Sequence, residues 1–318
     1  MQFYDIFNGD ADGLCALQQL RLEEPRASVL VTGVKRDIRL LERVTARAGD
    51  ELTVLDVSLK TNATDLRRLL EAGARCRYFD HHVAGDIPQH ANLRTFIDTA
   101  ADTCTSLIVD RYLNGRQRPW AVVAAFGDNL VEPALRAAAP LALDEGDLHR
   151  LRRLGECINY NAYGDTVDDL YYPPADLFET LHHYRDPRDF INGEPVFGVL
   201  KDAIADDLYR AAALGPEFER GRCALYVLPD AAWSRRVHGY FGNQLALERP
   251  RRAHALLVRK GTGYTVSVRA PLEYPQGADT LCLKFETGGG RKAAAGINRL
   301  PEADYSRFVA EFEKQFAD

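Results

Sequence analysis

Through its first 130 residues the sequence alternates short β-rich runs with longer amphipathic ones, and this alternation restricts the fold more than any other feature. QFYDIF (2–7), SVLVTGV (28–34), ELTVLDVS (51–58) and ARCRYFD (74–80) are rich in branched and aromatic residues and predict strands. Between them, DGLCALQQLRLEE, IRLLERVTARA and TDLRRLLEAG space apolar residues at i, i+3/i+4 and predict helices, with Gly73 closing the last. Parallel strands need a crossover connection, so this order builds an α/β domain with a mostly parallel sheet and flanking helices. Ligands of such sheets collect at the carboxyl ends of the strands.

Beyond residue 103 the pattern turns mainly helical, through TSLIVDRYL, WAVVAAFGDNLVEPALRAAA, DLHRLRRLGECINYNAYG and VLKDAIADDLYRAAAL. Strand-like runs return at CALYVL (223–228), HALLVRK (254–260) and GYTVSVRA (263–270), and an amphipathic stretch, DYSRFVAEFEKQF, closes the chain. The expected organisation is an α/β domain over 1–185, a helical connector over 186–215 and a smaller α/β domain over 216–318. Charge divides similarly: 24 basic against 34 acidic residues before Pro216, and 16 against 12 from there on. An acidic half suits cations and a basic half suits phosphates. The six cysteines lie far apart with no C-x-x-C, which predicts buried, reduced thiols rather than a disulfide frame or zinc ribbon. No apolar run approaches the roughly 20 residues of a membrane helix, and the first residues lack a signal-peptide pattern. A cytoplasmic protein without membrane partners is expected.

Four acidic or histidine clusters fall where elements should end. FNGDADG follows the first strand with Asn8, Asp10 and Asp12; LDVS ends the third with Asp56; FDHH ends the fourth with Asp80, His81 and His82; FGDN ends the helical run 119–127 with Asp128. Taken singly, each has a plain structural reading: Asp10 or Asp12 as a helix N-cap, Asp56 likewise, one histidine packed and one solvated. Together on one sheet edge, these carboxylates would repel one another at a cost of several kcal/mol without a cation. Carboxylate and imidazole ligands without thiolate suit Mn²⁺ or Mg²⁺.

With those residues in view, the sequence resembles the DHH-family phosphoesterases, whose Asp-His-His motif matches Asp80, His81 and His82. NGDADG corresponds to the family's D-x-D-x-x-G and is similar to the D-x-D-x-D-G of RecJ-type exonucleases. Asp56 and Asp128 match the second and fourth motifs. The segment GGGRKAAAG, with Gly288, Gly289, Gly290 and Arg291, resembles the G-G-G-H-x-x-A-A-G loop of the family's companion domain, and Arg269 in VSVRA matches its S-x-R. Two departures stand out: Asn8 replaces the first motif aspartate, with Tyr4 where some members carry histidine, and Arg291 replaces the loop histidine.

The resemblance implies one metal held by Asp10, Asp56, His81 and Asp128. A second would lean on Asn8, with two options open: Asp12 compensates, or that ion binds weakly and arrives with substrate. It further implies hydrolysis by metal-activated water. Asp56 would bridge two ions, Asp80 would fix the tautomer of His81, and His82 would meet the phosphate or protonate the leaving group. The glycines with Arg291 and Arg269 would cradle phosphate. The expected function is cleavage of short single-stranded oligonucleotides or small nucleotide phosphoesters in a cleft between two domains, with Mn²⁺ (one or two ions) or Mg²⁺ as cofactor and a homodimer as one open assembly. Two alternatives remain: a phosphoanhydride hydrolase acting on polyphosphate or pyrophosphate, and a nucleotide-binding regulatory module with a degraded second metal site. His182–His183 reads as a surface helix, and Arg249, Arg251 and Arg252 as a solvated loop.

Overall fold

The computed structural model describes residues 1–317 and divides into two compact units, Met1–Asp202 and Ala203–Asp318. The division falls inside a helix, within the segment read as a connector.

The first unit opens with β1 (Phe3–Phe7), α1 (Ala11–Glu23), β2 (Val29–Val31), β3 (Glu51–Leu55), α2 (Leu59–Glu71), β4 (Arg75–Asp80) and β5 (Leu93–Ile97). The five strands form a wholly parallel sheet in the order β2-β1-β3-β4-β5. The chain leaves β1 in opposite directions across the sheet at the β1/β3 boundary, the switch point where open α/β sheets bind ligands. Register sharpens this: Phe7 lies opposite Leu55, and Leu55 opposite Phe79. The residues that follow these three therefore leave the sheet at one level.

Most of the alternation read from the sequence is present, with three differences. IRLLERVTARA forms only a 3-10 turn at Leu40–Arg43. Asn62 on α2 accepts from Leu41 N (3.2 Å) and donates to Ile38 O (2.7 Å), while the Arg68 guanidinium donates to the carbonyls of Leu41 and Val44. Side chains of α2 thus take up the backbone groups that a helix would pair internally. The strand β5 arises from a segment without clear alternation, and α2 begins at Leu59, earlier than its apolar spacing suggested.

Helices α3 (Thr105–Tyr112), α4 (Arg118–Gly127), α5 (Val131–Ala138), α6 (Glu145–Asn161), α7 (Pro174–His182), α8 (Pro187–Gly193) and α9 (Pro195–Leu214) follow. Residues Trp120–Gly127 of α4 are buried on every side, as an all-apolar helix requires. It ends at Gly127, where an added Cβ would lie 2.4 Å from Ala11 Cβ and 2.9 Å from Gly155 O. Only glycine lets α4 approach α1 and α6 this closely, and that approach carries Asp128 to the sheet edge. His182 packs on Phe178 and pairs through Nδ1 with Gln18 Oε1, at 3.1 Å.

The second unit contains β6 (Phe218–Arg220), β7 (Cys223–Leu228), α10 (Ala232–Glu248), β8 (Ala253–Lys260), β9 (Gly263–Arg269), α11 (Ala278–Cys282), β10 (Gly288–Gly290), β11 (Ala294–Pro301) and α12 (Tyr305–Gln315). Its six-stranded sheet runs β10-β11-β9-β8-β7-β6, antiparallel except for β7–β8. All six cysteines are free and buried, and among the described residues no helix is long and apolar enough to cross a membrane.

A buried ion pair fixes α1 to the sheet. Arg21 donates to Asp5 through Nε (2.7 Å) and Nη2 (2.5 Å) and reaches Thr53 Oγ1 at 3.2 Å, with Arg21 and Asp5 at most 2 % exposed. Removing one partner strands the other charge, so Asp5→Ala should lower unfolding free energy by about 3–5 kcal/mol in urea titration. A loss below about 1 kcal/mol would mean the pair does not hold the helix.

Candidate metal centre

The turn after β1 starts the centre. Asp10 is the N-cap of α1, its Oδ1 accepting from Asp12 N (3.1 Å) and Gly13 N (3.2 Å). Its Oδ2 lies 2.6 Å from Lys35 Nζ. Burial acts to raise the Asp10 pKa, but the Lys35 ammonium and the Gly13 N–H outweigh it and hold the carboxyl below its usual value. Asp12, fully buried, accepts from Thr105 N and Ser106 N, both at 2.7 Å, and so caps α3 with both oxygens.

Asp56 ends β3 with φ of 57°, a left-handed backbone that aspartate tolerates better than most residues. Its N–H stays on Phe79 O at 3.0 Å, while its Oδ1 meets Thr105 Oγ1 at 3.2 Å and His81 Nε2 at 3.3 Å. His81 Nε2 is also 3.9 Å from Asp128 Oδ2. Burial first, then the charges of Asp12, Asp10, Asp128 and Asp80, push Asp56 well above the carboxylate range. Burial with Asp12 and Asp10 pushes Asp128 up to about 7, against the pull of Lys35.

The expectation that Asp80 fixes the tautomer of His81 is corrected here. Asp80 Oδ1 accepts instead from His82, through Nδ1 at 2.7 Å and the backbone N–H at 3.2 Å. Its Oδ2 faces Leu59 N at 3.4 Å, at the start of α2. The aspartate that ends β4 thus reaches the second histidine, while the first faces Asp56 and Asp128; the two rings are neighbours, with centroids 4.4 Å apart, and His82 Nδ1 is also 3.9 Å from Asp56 Oδ1. The hydrogen bond to Asp80, opposed by burial, raises the His82 pKa above its ordinary value.

Two groups of side chains bring ligand atoms within 4.8 Å of one another among the described residues: Asp56, His81 and His82, and Asp12, His81 and Asp128. Both contain His81, and neither contains Asp10. The donors fit a hard divalent cation. They are oxygen and imidazole nitrogen, and the nearby thiols of Cys15 and Cys104 are pushed well up by burial and by Asp12, which keeps them protonated. Asn8 Oδ1 is also buried without a hydrogen-bond partner.

The other residues singled out from the sequence lie in the second unit. The segment read as a loop is a hairpin: Gly288, Gly289 and Gly290 form the edge strand β10, paired with Ile297, Gly296 and Ala295. Close packing requires glycine there, since a Cβ on Gly288 would fall 1.8 Å from Cys282 O. Arg291 is exposed at the hairpin turn. Arg269 is occupied within its own unit, donating to Asn243 Oδ1 (2.6 Å), Ser267 Oγ (2.8 Å) and Gly239 O (3.2 Å). Arg251 and Arg252 pair with Glu273 and Glu219.

No family model matches the sequence, and no curated protein matches it. Solved structures do match. Exonuclease RecJ bound to manganese superposes with a TM-score of 0.61 at 20% identity, over 99% of this chain and 90% of that one. The DHH domain of a member of a ribosomal-protein family gives 0.61 at 14%, over 99% and 86%. The pGpG-specific phosphodiesterase PggH of Vibrio cholerae gives 0.56 at 15%, over 99% of both chains. The chain has the DHH fold.

Within that DHH fold, sequence reading located the acidic and histidine residues and missed Lys35, Thr105 and Asn159. Lys35 follows β2 at the same sheet edge, in TGVKRD, so a search of strand ends for cations as well as anions would have found it. Because Asp56 is destabilised by its neighbours, Asp56→Asn should raise the melting temperature of the metal-free protein by a few degrees, for roughly 1 kcal/mol of relieved repulsion. The same change should abolish stabilisation by added Mn²⁺; scanning calorimetry with and without the ion checks both.

Proposed function

We propose that this chain is a metal-dependent phosphodiesterase acting on short oligonucleotides or small nucleotide phosphoesters. The reading is carried by one juxtaposition: a carboxylate–imidazole cation site in which His81 faces Asp56 and Asp128, adjoined by the Asp80–His82 pair. The activities of RecJ and PggH, exonuclease and phosphodiesterase, support it.

His81, Asp56 and Asp128 would hold the cation, with Mn²⁺ favoured and Mg²⁺ the other choice. When bound, a divalent ion supplies Lewis-acid polarisation of a phosphoryl group and charge to receive an anionic substrate. The protein's own part is proton management and orientation. Asp80 holds the Nδ1–H of His82, which leaves Nε2 facing outward on a side chain 45% exposed. The hydrogen bond to Asp80 favours the charged ring, and an imidazolium there would be able to protonate a departing alkoxide. Asp80, anchored on α2, keeps the ring from rotating. In the second unit, Arg291 offers an exposed guanidinium suited to bidentate contact with phosphate. The buried free thiols favour a reducing, cytoplasmic setting.

An acid that protonates the leaving group matters most when that group is a poor one. His82→Ala should therefore lower kcat on a dinucleotide by about 10²–10⁴-fold. On bis(p-nitrophenyl) phosphate, whose leaving group needs no proton, the loss should be far smaller, with Mn²⁺ binding retained. Equal losses on both substrates would remove His82 from that role.

A further inference from the structure

Lys35 is held as a built feature of the centre. Its backbone N–H donates to Ala162 O at 2.9 Å, and its carbonyl accepts from Asn8 Nδ2 at 3.4 Å. An ammonium has three protons to donate. Here three oxygens surround it: Asp10 Oδ2 at 2.6 Å, Asn159 Oδ1 at 3.0 Å and Asp128 Oδ1 at 3.6 Å. Asn159 is itself braced by Tyr163, whose hydroxyl accepts from Nδ2 at 3.0 Å.

The same arrangement engages Asp10, which also hydrogen-bonds with Asp56. One oxygen serves the α1 backbone and the other serves Lys35, and Asp10 belongs to neither group of converging ligand atoms. Position 8, beside Lys35, carries a neutral amide, so no further carboxylate is present there to attract an ion.

We propose that the Lys35 ammonium takes the place of a second cation, so that the centre binds a single divalent ion on the His81 side while Lys35 neutralises Asp10 and Asp128. This rests on the metal-dependent reading above. Lys35 is then a positioning residue and charge carrier, and Asp10 its anchor rather than a metal ligand. A second divalent ion near Asp10 would have to expel an ammonium hydrogen-bonded to Asp10 and Asn159, at a spot where position 8 is an amide rather than a carboxylate.

Equilibrium dialysis of the full chain against Mn²⁺, with metal per chain read by atomic absorption, tests this without any assay of turnover. The wild type should saturate at one ion and show the electron paramagnetic resonance of isolated Mn²⁺. Lys35→Met, shown folded by circular dichroism, should admit a second, weaker ion. Adding Asn8→Asp to it should tighten that ion by roughly tenfold or more, through the added ligand charge. Two ions in the wild type, with an exchange-coupled spectrum, would overturn the proposal and leave the metal-dependent reading standing. So would a single ion of unchanged affinity in both variants. No uptake by the wild type would remove the metal-dependent reading itself, and the proposal with it.

Discussion

Like charges crowded at one sheet edge are the constraint that organises this structure. A parallel sheet in the order β2-β1-β3-β4-β5 delivers Asp10, Asp12, Asp56 and Asp80 to a single level, and α4 adds Asp128. The fold neutralises these carboxylates unequally. Asp10 sits on the N-terminus of α1, Asp80 on that of α2 and Asp12 on that of α3. Three helix starts, each with unpaired N–H groups and a positive dipole end, thus absorb three negative charges. Asp56 and Asp128 have no helix start, and burial with the neighbouring carboxylates pushes the pKa of both up. The pair left uncompensated by backbone is the pair that meets His81, where a cation would complete the charge balance.

The same economy separates the two adjacent histidines. His81 is turned toward the uncompensated carboxylates, whereas His82 is bound to Asp80, whose other oxygen is occupied by α2. One imidazole is placed to ligate and the other, held by Asp80, to handle protons. Lys35 extends the logic: where a further cation could have gone, the sequence supplies a covalently attached one with three oxygen partners.

Much of this was legible in the sequence because it depends on order and periodicity. The strand ends of β1, β3 and β4 could be placed from branched and aromatic runs, and topology alone then collected Asp10, Asp56 and Asp80 at one edge. The second unit's strands at 223–228, 253–260 and 263–269 followed from the same signal. What failed depends on tertiary partners. Asn62 and Arg68 withdraw backbone groups from the 38–48 segment and stop it forming a helix, which no local pattern announces. The glycines at 288–290 resemble a loop in sequence, yet pairing with Ala295, Gly296 and Ile297 makes them a strand, with Gly288 packed on Cys282. Which histidine Asp80 would reach was likewise a matter of tertiary geometry rather than composition, and Lys35 is a counter-charge that carries no metal-ligand pattern of its own.

The central claim is that Asp56, His81 and Asp128 form a pocket for a hard divalent ion. Diffraction from Mn²⁺-soaked crystals at the manganese absorption edge tests it most directly. An anomalous peak in contact with His81 Nε2 and with carboxylate oxygens of Asp56 and Asp128 is the expected result. A peak elsewhere on the molecule, or none at saturating Mn²⁺, would contradict it.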